Sequence, residues 1–141
     1  MLLKEFKDTS GKAYAIVHYE EETDIISDVW NGVFGSQDNF KEVLVYVQEQ
    51  ILARNIKKWL ADLRNMQGSF DGSKDWIAEE IMSKLIKNGE LFQAIVLPNN
   101  IFAKLSARDT IKKVSNYELK QFHDPEEARN WLVNVKVISS S

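Results

Sequence analysis

Two runs of apolar residues near the amino end of the chain have the pattern of strands. Residues 13–19 and 25–33 are rich in β-branched and aromatic side chains, which favour a pleated, half-buried strand. A polar, acidic stretch at residues 20–24 separates them. This arrangement predicts an antiparallel β-hairpin.

Helical periodicity follows the hairpin. Apolar residues recur at spacings of three and four between Phe40 and Ile51, as on one face of a helix. Ser36 or Asp38 is the expected N-cap, and Asn55 suits the left-handed conformation that often ends a helix. The pattern predicts one amphipathic helix over this stretch.

The rest of the chain alternates between strand and helix patterns. Strands are predicted at residues 57–63, 91–97 and 117–122. Helices are predicted after Ser73, after Asn99 or Asn100 with a break near Ser106, and after Asp124. We expect an α/β protein with a mixed sheet of about five strands and four or five helices. Residues 1–141 would form a single domain, with a core at about 12–135 and a flexible tail at 136–141.

Composition narrows the class of protein. The 141 residues are 44% hydrophobic and 28% charged, with no cysteine and a net charge of −3. This balance gives no general attraction to nucleic acid, and the lack of cysteine excludes disulfides and thiolate chemistry. No apolar run approaches the ~20 residues that span a bilayer, and no signal peptide is evident. We therefore expect a cytoplasmic protein without stable membrane insertion.

Asp62 and Arg64 are the first candidates for a functional site. They are expected at the end of the strand 57–63, and ligands of parallel sheets usually bind beyond the carboxyl ends of the strands. The planar guanidinium of Arg64 suits an anionic group. Alternatively, Asp62 caps backbone amides while Arg64 pairs with a carboxylate.

Further candidates follow in the next loop and helix. Asp75 and Trp76 would extend the surface, since Trp and Arg are enriched among interaction hot spots; equally, Trp76 shares a helical stripe with Ile77 and belongs to the core. Trp30, Trp59 and Phe70 are candidates for the lining of an apolar pocket or for a dimer interface.

Several classes of chemistry have no support in the sequence. The two histidines, His18 and His123, lie far apart and show no metal-binding spacing. No GxSxG motif and no nucleotide-binding glycine loop occurs. We expect no metal and no cofactor. The weakest alternative is a small enzyme that uses Asp62 or Asp75 as a base.

The order of elements and five landmarks resemble STAS domains and their SpoIIAA-like relatives, in particular small bacterial stand-alone proteins labelled STAS/SEC14-like. The landmarks are Tyr19 with its acidic turn, residues 30–32 (Trp-Asn-Gly), 62–64 (Asp-Leu-Arg), 75–77 (Asp-Trp-Ile) and 94–98 (Ala-Ile-Val-Leu-Pro). The resemblance implies a fold and a habit of binding partners or small apolar ligands.

The resemblance also points to a phosphorylation site and departs from the family there. STAS domains of the anti-sigma-factor-antagonist type carry a phosphorylatable Ser directly after an Asp in the loop following the third strand. Here Leu63 follows Asp62, and Ser69 is the nearest remaining candidate, since Ser73 is expected to cap a helix.

Two functions are therefore expected. The first is a non-enzymatic STAS-like binding or regulatory module that acts through the surface beyond the carboxyl ends of the strands, on an unknown protein partner. The alternative is a carrier of a small apolar or lipid-like ligand in an aromatic-lined pocket. A homodimer is possible in either case.

Overall fold

A six-stranded sheet forms the centre of the protein in the computed structural model, which describes residues 1–113 and 117–137. The strands lie side by side in the order in which they occur in the chain. They are β1 (Leu2–Lys7), β2 (Ala13–Glu20), β3 (Ile25–Gly32), β4 (Lys58–Met66), β5 (Phe92–Val96) and β6 (Glu118–Phe122).

The sheet is mixed, as the sequence predicts. Strands β1, β2 and β3 are antiparallel neighbours, whereas β3, β4, β5 and β6 are all parallel. The predicted hairpin is β2–β3, and the α/β class is confirmed. The strand beyond the predicted set is β1, an edge strand in which only Phe6 is buried, so its sequence lacks the apolar alternation of a half-buried strand.

Four helical segments connect or cover the strands. Helix α1 spans Gln37–Arg54, α3 spans Ile101–Lys113 and α4 spans Pro125–Asn134. The segment α2, residues 71–88, is irregular. It consists of a 3₁₀ turn (Asp71–Ser73), an α turn (Lys74–Trp76), a π-helical stretch (Ile77–Met82) and a final α stretch (Ser83–Asn88).

Three of the predicted helix ends are confirmed. The Ser36 hydroxyl accepts a hydrogen bond from the Asn39 amide at 3.1 Å. Asn55 takes the left-handed conformation, with φ of 54°. Asp124 caps α4 by accepting the Glu126 amide at 3.3 Å, and Pro125 follows at the first helical position.

Two predictions about serines are wrong. Ser73 does not cap a helix; its hydroxyl donates to Gln37 Oε1 at 2.6 Å, which ties α2 to α1. Helix α3 does not break near Ser106 either, but runs through it. The hydroxyl of Ser106 instead lies 2.9 Å from the Ser69 hydroxyl and accepts the Phe70 amide at 3.2 Å.

Apolar side chains are buried on both faces of the sheet. Helices α1, α2 and α3 cover one face, where the large cluster includes Trp30, Phe40, Trp59, Phe70 and Ile81. Helix α4 covers the other face, packing Ala128 and Leu132 against residues of β3, β4 and β5 such as Ile25, Leu60 and Phe92. Within residues 1–113 and 117–137, no helix is long and apolar enough to span a membrane. Residues 138–141 of the predicted flexible tail lie outside the described residues.

Candidate functional site

Asp62 and Arg64 contact each other within strand β4 and do not lie at its end. The prediction that β4 ends at Leu63 is wrong, because the strand continues to Met66, past an irregularity in its pairing with β3. Asp62 Oδ1 accepts the backbone amide of Arg64 at 3.2 Å, and its Oδ2 lies 3.6 Å from Arg64 Nη2. This geometry matches the alternative in which Asp62 caps an amide and Arg64 pairs with a carboxylate.

Arg64 nevertheless stands at the carboxyl edge of the sheet. Asp62 pairs with Val96, the last residue of β5, so Arg64 extends beyond that strand. Its carbonyl accepts the Asn99 amide at 3.2 Å. Within the described chain its buried Nε lacks a hydrogen-bond partner, although the side chain as a whole is 41% exposed.

The predicted aromatic residues do not join this edge. Trp30 and Phe70 are buried on the sheet face covered by α1, α2 and α3, and Phe70 stacks on Phe40 at 4.7 Å between ring centroids. Asp62, two residues beyond Leu60 on the strand, shares with it the opposite face. Phe70 and Trp30 are therefore core residues with almost no exposed surface.

Asp75 and Trp76 lie on α2, apart from Asp62. The Asp75 carboxylate is exposed and forms an ion pair with Lys113 at 2.8 Å, whose hydrogen bond and charge lower the pKa of Asp75. Trp76 is half-buried, and Lys41 Nζ lies 5.2 Å from the centroid of its ring.

Ser69 lies on an exposed loop at the junction with α3. Its hydroxyl accepts the Asp71 amide at 3.1 Å in addition to its contact with Ser106. A phosphoryl group there would replace the Ser106 contact with a charged one. The structure thus places Ser69 within reach of solvent but engaged in local hydrogen bonds.

Helix α3 presents large apolar side chains to solvent. Ile101, Phe102 and Leu105 are 59%, 64% and 50% exposed, and their spacings of three and four residues place them on one side of the helix. We call these three residues the α3 face. The residues that α3 buries are small, namely Ala103, Ser106, Ala107 and Thr110, so the usual distribution of large apolar residues is reversed.

The α3 face lies at the carboxyl edge and is bordered by positive charge. The helix begins five residues after Val96, and Asn100 caps it by accepting the Phe102 and Ala103 amides. Lys104, Arg108, Lys112 and Lys113 belong to α3, against the single acid Asp109. Among the described residues, Lys104, Arg108 and Lys112 form no ion pair.

A second candidate site lies inside the protein, around Asp28. This carboxylate is 1% exposed and accepts two indole N–H groups, from Trp30 Nε1 at 2.6 Å and from Trp59 Nε1 at 2.5 Å. None of the ion pairs of the described residues involves it. Burial raises the pKa of Asp28 to about 6, and the two indole donors oppose that rise.

Asp28 lines a partly open cavity of about 60 Å³ between the sheet and the helices α1, α2 and α3. Aromatic rings of Trp30, Phe40, Trp59 and Phe70 form much of its wall. Gln93 also lines it and accepts the Tyr117 hydroxyl at 2.7 Å. Within the described chain, no group of three His, Asp or Glu side chains is arranged to hold a metal ion.

Sequence reasoning missed both Asp28 and the α3 face, although each had a signal. In β3, Ile26, Asp28 and Trp30 alternate, so an acid occupies a position between two core residues. In α3, apolar residues occur on two sides of the helix, which exceeds the single stripe of an ordinary surface helix. A buried acid in a strand and a second apolar stripe are both detectable patterns.

The fold and these sites define an α/β domain with a mixed six-stranded sheet, a buried carboxylate beside an aromatic cavity, and an exposed apolar helix face. Comparisons of the chain with family models, curated proteins and solved structures found no significant match.

Proposed function

We propose that the chain is a non-enzymatic, STAS-like binding module that captures a protein partner through the surface beyond the carboxyl ends of its strands. The exposed apolar side of α3 carries this proposal. A contiguous apolar group that is bordered by charged residues is typical of an interaction site, and here a helix buries alanines while it exposes Phe102 and Leu105.

The charges around the α3 face indicate the chemistry of the partner. The chain as a whole carries −3, yet Lys104, Arg108 and Lys112 surround or follow the apolar residues on α3. Complementary charge speeds encounter and selects partners. The partner would therefore offer an apolar groove with acidic side chains at its rim.

The proposed contact differs in part from the surface expected from the sequence. Arg64 is retained, since it lies at the same edge and is partly exposed. The proposed contact uses Phe102 and Leu105. It does not use Phe70 or Trp30, because a side chain 3% or 1% exposed has almost no surface to offer a partner.

The double substitution Phe102→Glu and Leu105→Glu tests this proposal. It should abolish partner capture, because two carboxylates would enter an acidic-rimmed apolar groove, while thermal stability changes little at exposed positions. Leu52→Glu is the matched control, since Leu52 is 41% exposed on α1. The immobilised wild type and the control variant should both retain a protein from an extract of the source cells, and the double variant should not. That protein, once purified, should bind to the wild type and to the control variant but not to the double variant.

Three results would overturn the proposal. Retention of the same proteins by all three forms would remove the α3 face as the contact. Binding of anionic lipid vesicles that only the double variant loses would assign the face to a membrane surface. Self-association of the wild type that only the double variant loses, measured by sedimentation velocity, would assign it to a second copy of this chain.

The alternative, a carrier of a small apolar or lipid-like ligand, draws support from the aromatic wall of the cavity. The volume of the cavity argues against a lipid-like guest, because 60 Å³ is far below the ~300–1,000 Å³ of pockets for drug-sized ligands. Only a guest of a few heavy atoms fits the cavity as it stands.

A further inference from the structure

The cavity beside Asp28 exists because small residues occupy two of its walls. Ala61 is the β4 neighbour of Asp28 in the sheet register, and Ala107 of α3 lines the same space. Larger side chains at either position would fill it. The sequence thus leaves room next to a buried charge, which a packed interior ordinarily avoids.

The charge of Asp28 is only partly satisfied by the protein. An ionised carboxylate offers about four acceptor positions. The two indole N–H groups and the backbone amide of Asp28 itself take three of them. The indoles are neutral donors, and no cationic side chain among the described residues forms an ion pair with Asp28. A buried carboxylate without a cation is costly, and a cationic guest would offset that cost.

The remaining walls suit a cation that also has an apolar part. Four aromatic rings line the cavity, and aromatic faces attract cations, most strongly where water is excluded. The volume of about 60 Å³ is a few times the ~10–15 Å³ that a single water molecule requires and far below that of a pocket for a drug-sized ligand. The guest is therefore limited to a few non-hydrogen atoms.

The irregular helix α2 marks the same place. Its π-helical stretch begins at Ile77 and ends at Met82, and both of these residues line the cavity. Such stretches interrupt a regular helix and occur frequently at functional sites. Among the described lining residues, Ile111, Tyr117 and Leu119 are the ones that are not fully buried.

We propose that this cavity is a binding site for a small organic cation of the size of methylammonium. One of its N–H groups donates to the remaining acceptor position of Asp28, and its carbon contacts the aromatic wall. The site is separate from the α3 face, so it stands or falls independently of the partner-binding function.

Titration with methylammonium chloride, followed by NMR of the indole N–H groups in the full chain, tests the proposal. The Nε1–H signals of Trp30 and Trp59 should shift saturably, because both groups bond to the carboxylate that receives the guest. Sodium chloride controls for ionic strength, methanol supplies a neutral guest of the same size, and tetramethylammonium supplies a cation too large for the cavity.

Two variants separate the site from non-specific effects. Asp28→Asn keeps the shape and removes the charge, so the affinity for methylammonium should fall about tenfold or more. Ala61→Val keeps Asp28 and fills the cavity, so it should lose binding as well. Circular dichroism establishes whether each variant is folded. If Asp28→Asn does not fold, Ala61→Val provides the test.

The proposal is overturned if methylammonium produces no more shift than sodium chloride or methanol, which would leave the cavity a site for solvent. It is also overturned if a folded Asp28→Asn or Ala61→Val variant binds methylammonium as the wild type does.

Discussion

At the level of single residues, Asp28 shows how the environment decides the chemistry of a side chain. Asp75 has the same carboxyl group, but it is exposed and paired with Lys113, which lowers its pKa. Asp28 is enclosed by aromatic side chains, and burial raises its pKa to about 6. The two indole donors reduce the cost of burying the charge without removing it.

The raised pKa of Asp28 predicts a specific pH dependence of stability. The folded protein holds this proton up to about pH 6, whereas the unfolded chain releases it near its ordinary pKa of 3.8. Since the folded state binds more protons in that interval, the contribution of Asp28 to the free energy of unfolding decreases as pH rises through it. The loss between pH 4 and pH 7.5 should be about 2 kcal/mol.

Urea unfolding of the wild type and of Asp28→Asn at the two pH values measures this loss. The asparagine can accept only one of the two indole N–H groups, which gives it a cost that does not depend on pH. Other titrating groups are the same in both proteins and cancel in the difference. A difference between the two proteins that is equal at both pH values would show that Asp28 does not titrate in this range.

At the level of elements, helix α3 is joined to the loop before α2 by one hydroxyl group. Ser106 Oγ accepts a hydrogen bond from the buried Phe70 amide and contacts Ser69 Oγ. It also donates a hydrogen bond to the Phe102 carbonyl within the helix, at 3.2 Å. This junction holds α3 in the orientation that turns its large apolar residues to solvent. A hydroxyl in the middle of a helix thus acts between elements and does not break the helix.

Ser106→Ala should cost about 1–3 kcal/mol of the free energy of unfolding, because it leaves the buried Phe70 amide without its acceptor. Ser69→Ala is the comparison, since it removes the hydroxyl contact and the acceptor of the exposed Asp71 amide but leaves the Phe70 bond in place. Its cost should be the smaller of the two in chemical denaturation. Equal costs would show that loss of the Phe70 amide bond is not the dominant cost at this junction.

At the level of the whole molecule, one sheet carries two cores. Strand β4 contributes Leu60 to the face under α4 and Ala61 to the face with the cavity. The core under α4 is the smaller of the two, with Trp131 and Val135 packed at its margin. Because the same strands bury residues on both sides, loss of either core exposes the sheet that supports the other.

This arrangement predicts a single cooperative unfolding transition. The four tryptophans can be labelled with fluorine and observed separately by NMR during a urea titration. The signal of Trp131, on α4, should disappear at the same midpoint as those of Trp30 and Trp59 in the larger core. A lower midpoint for Trp131 would mean that α4 detaches while the remaining structure stays folded.

Local patterns were sufficient for much of the fold. The 3.6-residue periodicity of residues 40–51, the Asp124-Pro125 start of α4 and the turn at Asn55 are short-range features, and the structure has all three. The edge strand β1 and the continuation of β4 to Met66 were missed. Both depend on a neighbouring strand for their hydrogen bonds, and that neighbour is not a local property of the chain.

By itself, the sequence determined most of the helices and strands and the α/β class with a mixed sheet, because periodicity and caps act within a few residues. Only the tertiary structure decided which face of the sheet each side chain occupies. It separated Asp62 and Arg64 from Trp30 and Phe70, placed Asp28 between two indoles, and turned Phe102 outward. The physical reason is that burial and pairing depend on contacts between distant parts of the chain. A shift of one residue in strand register would move each strand side chain to the opposite face of the sheet, and different packing of the helices would change which side chains are exposed.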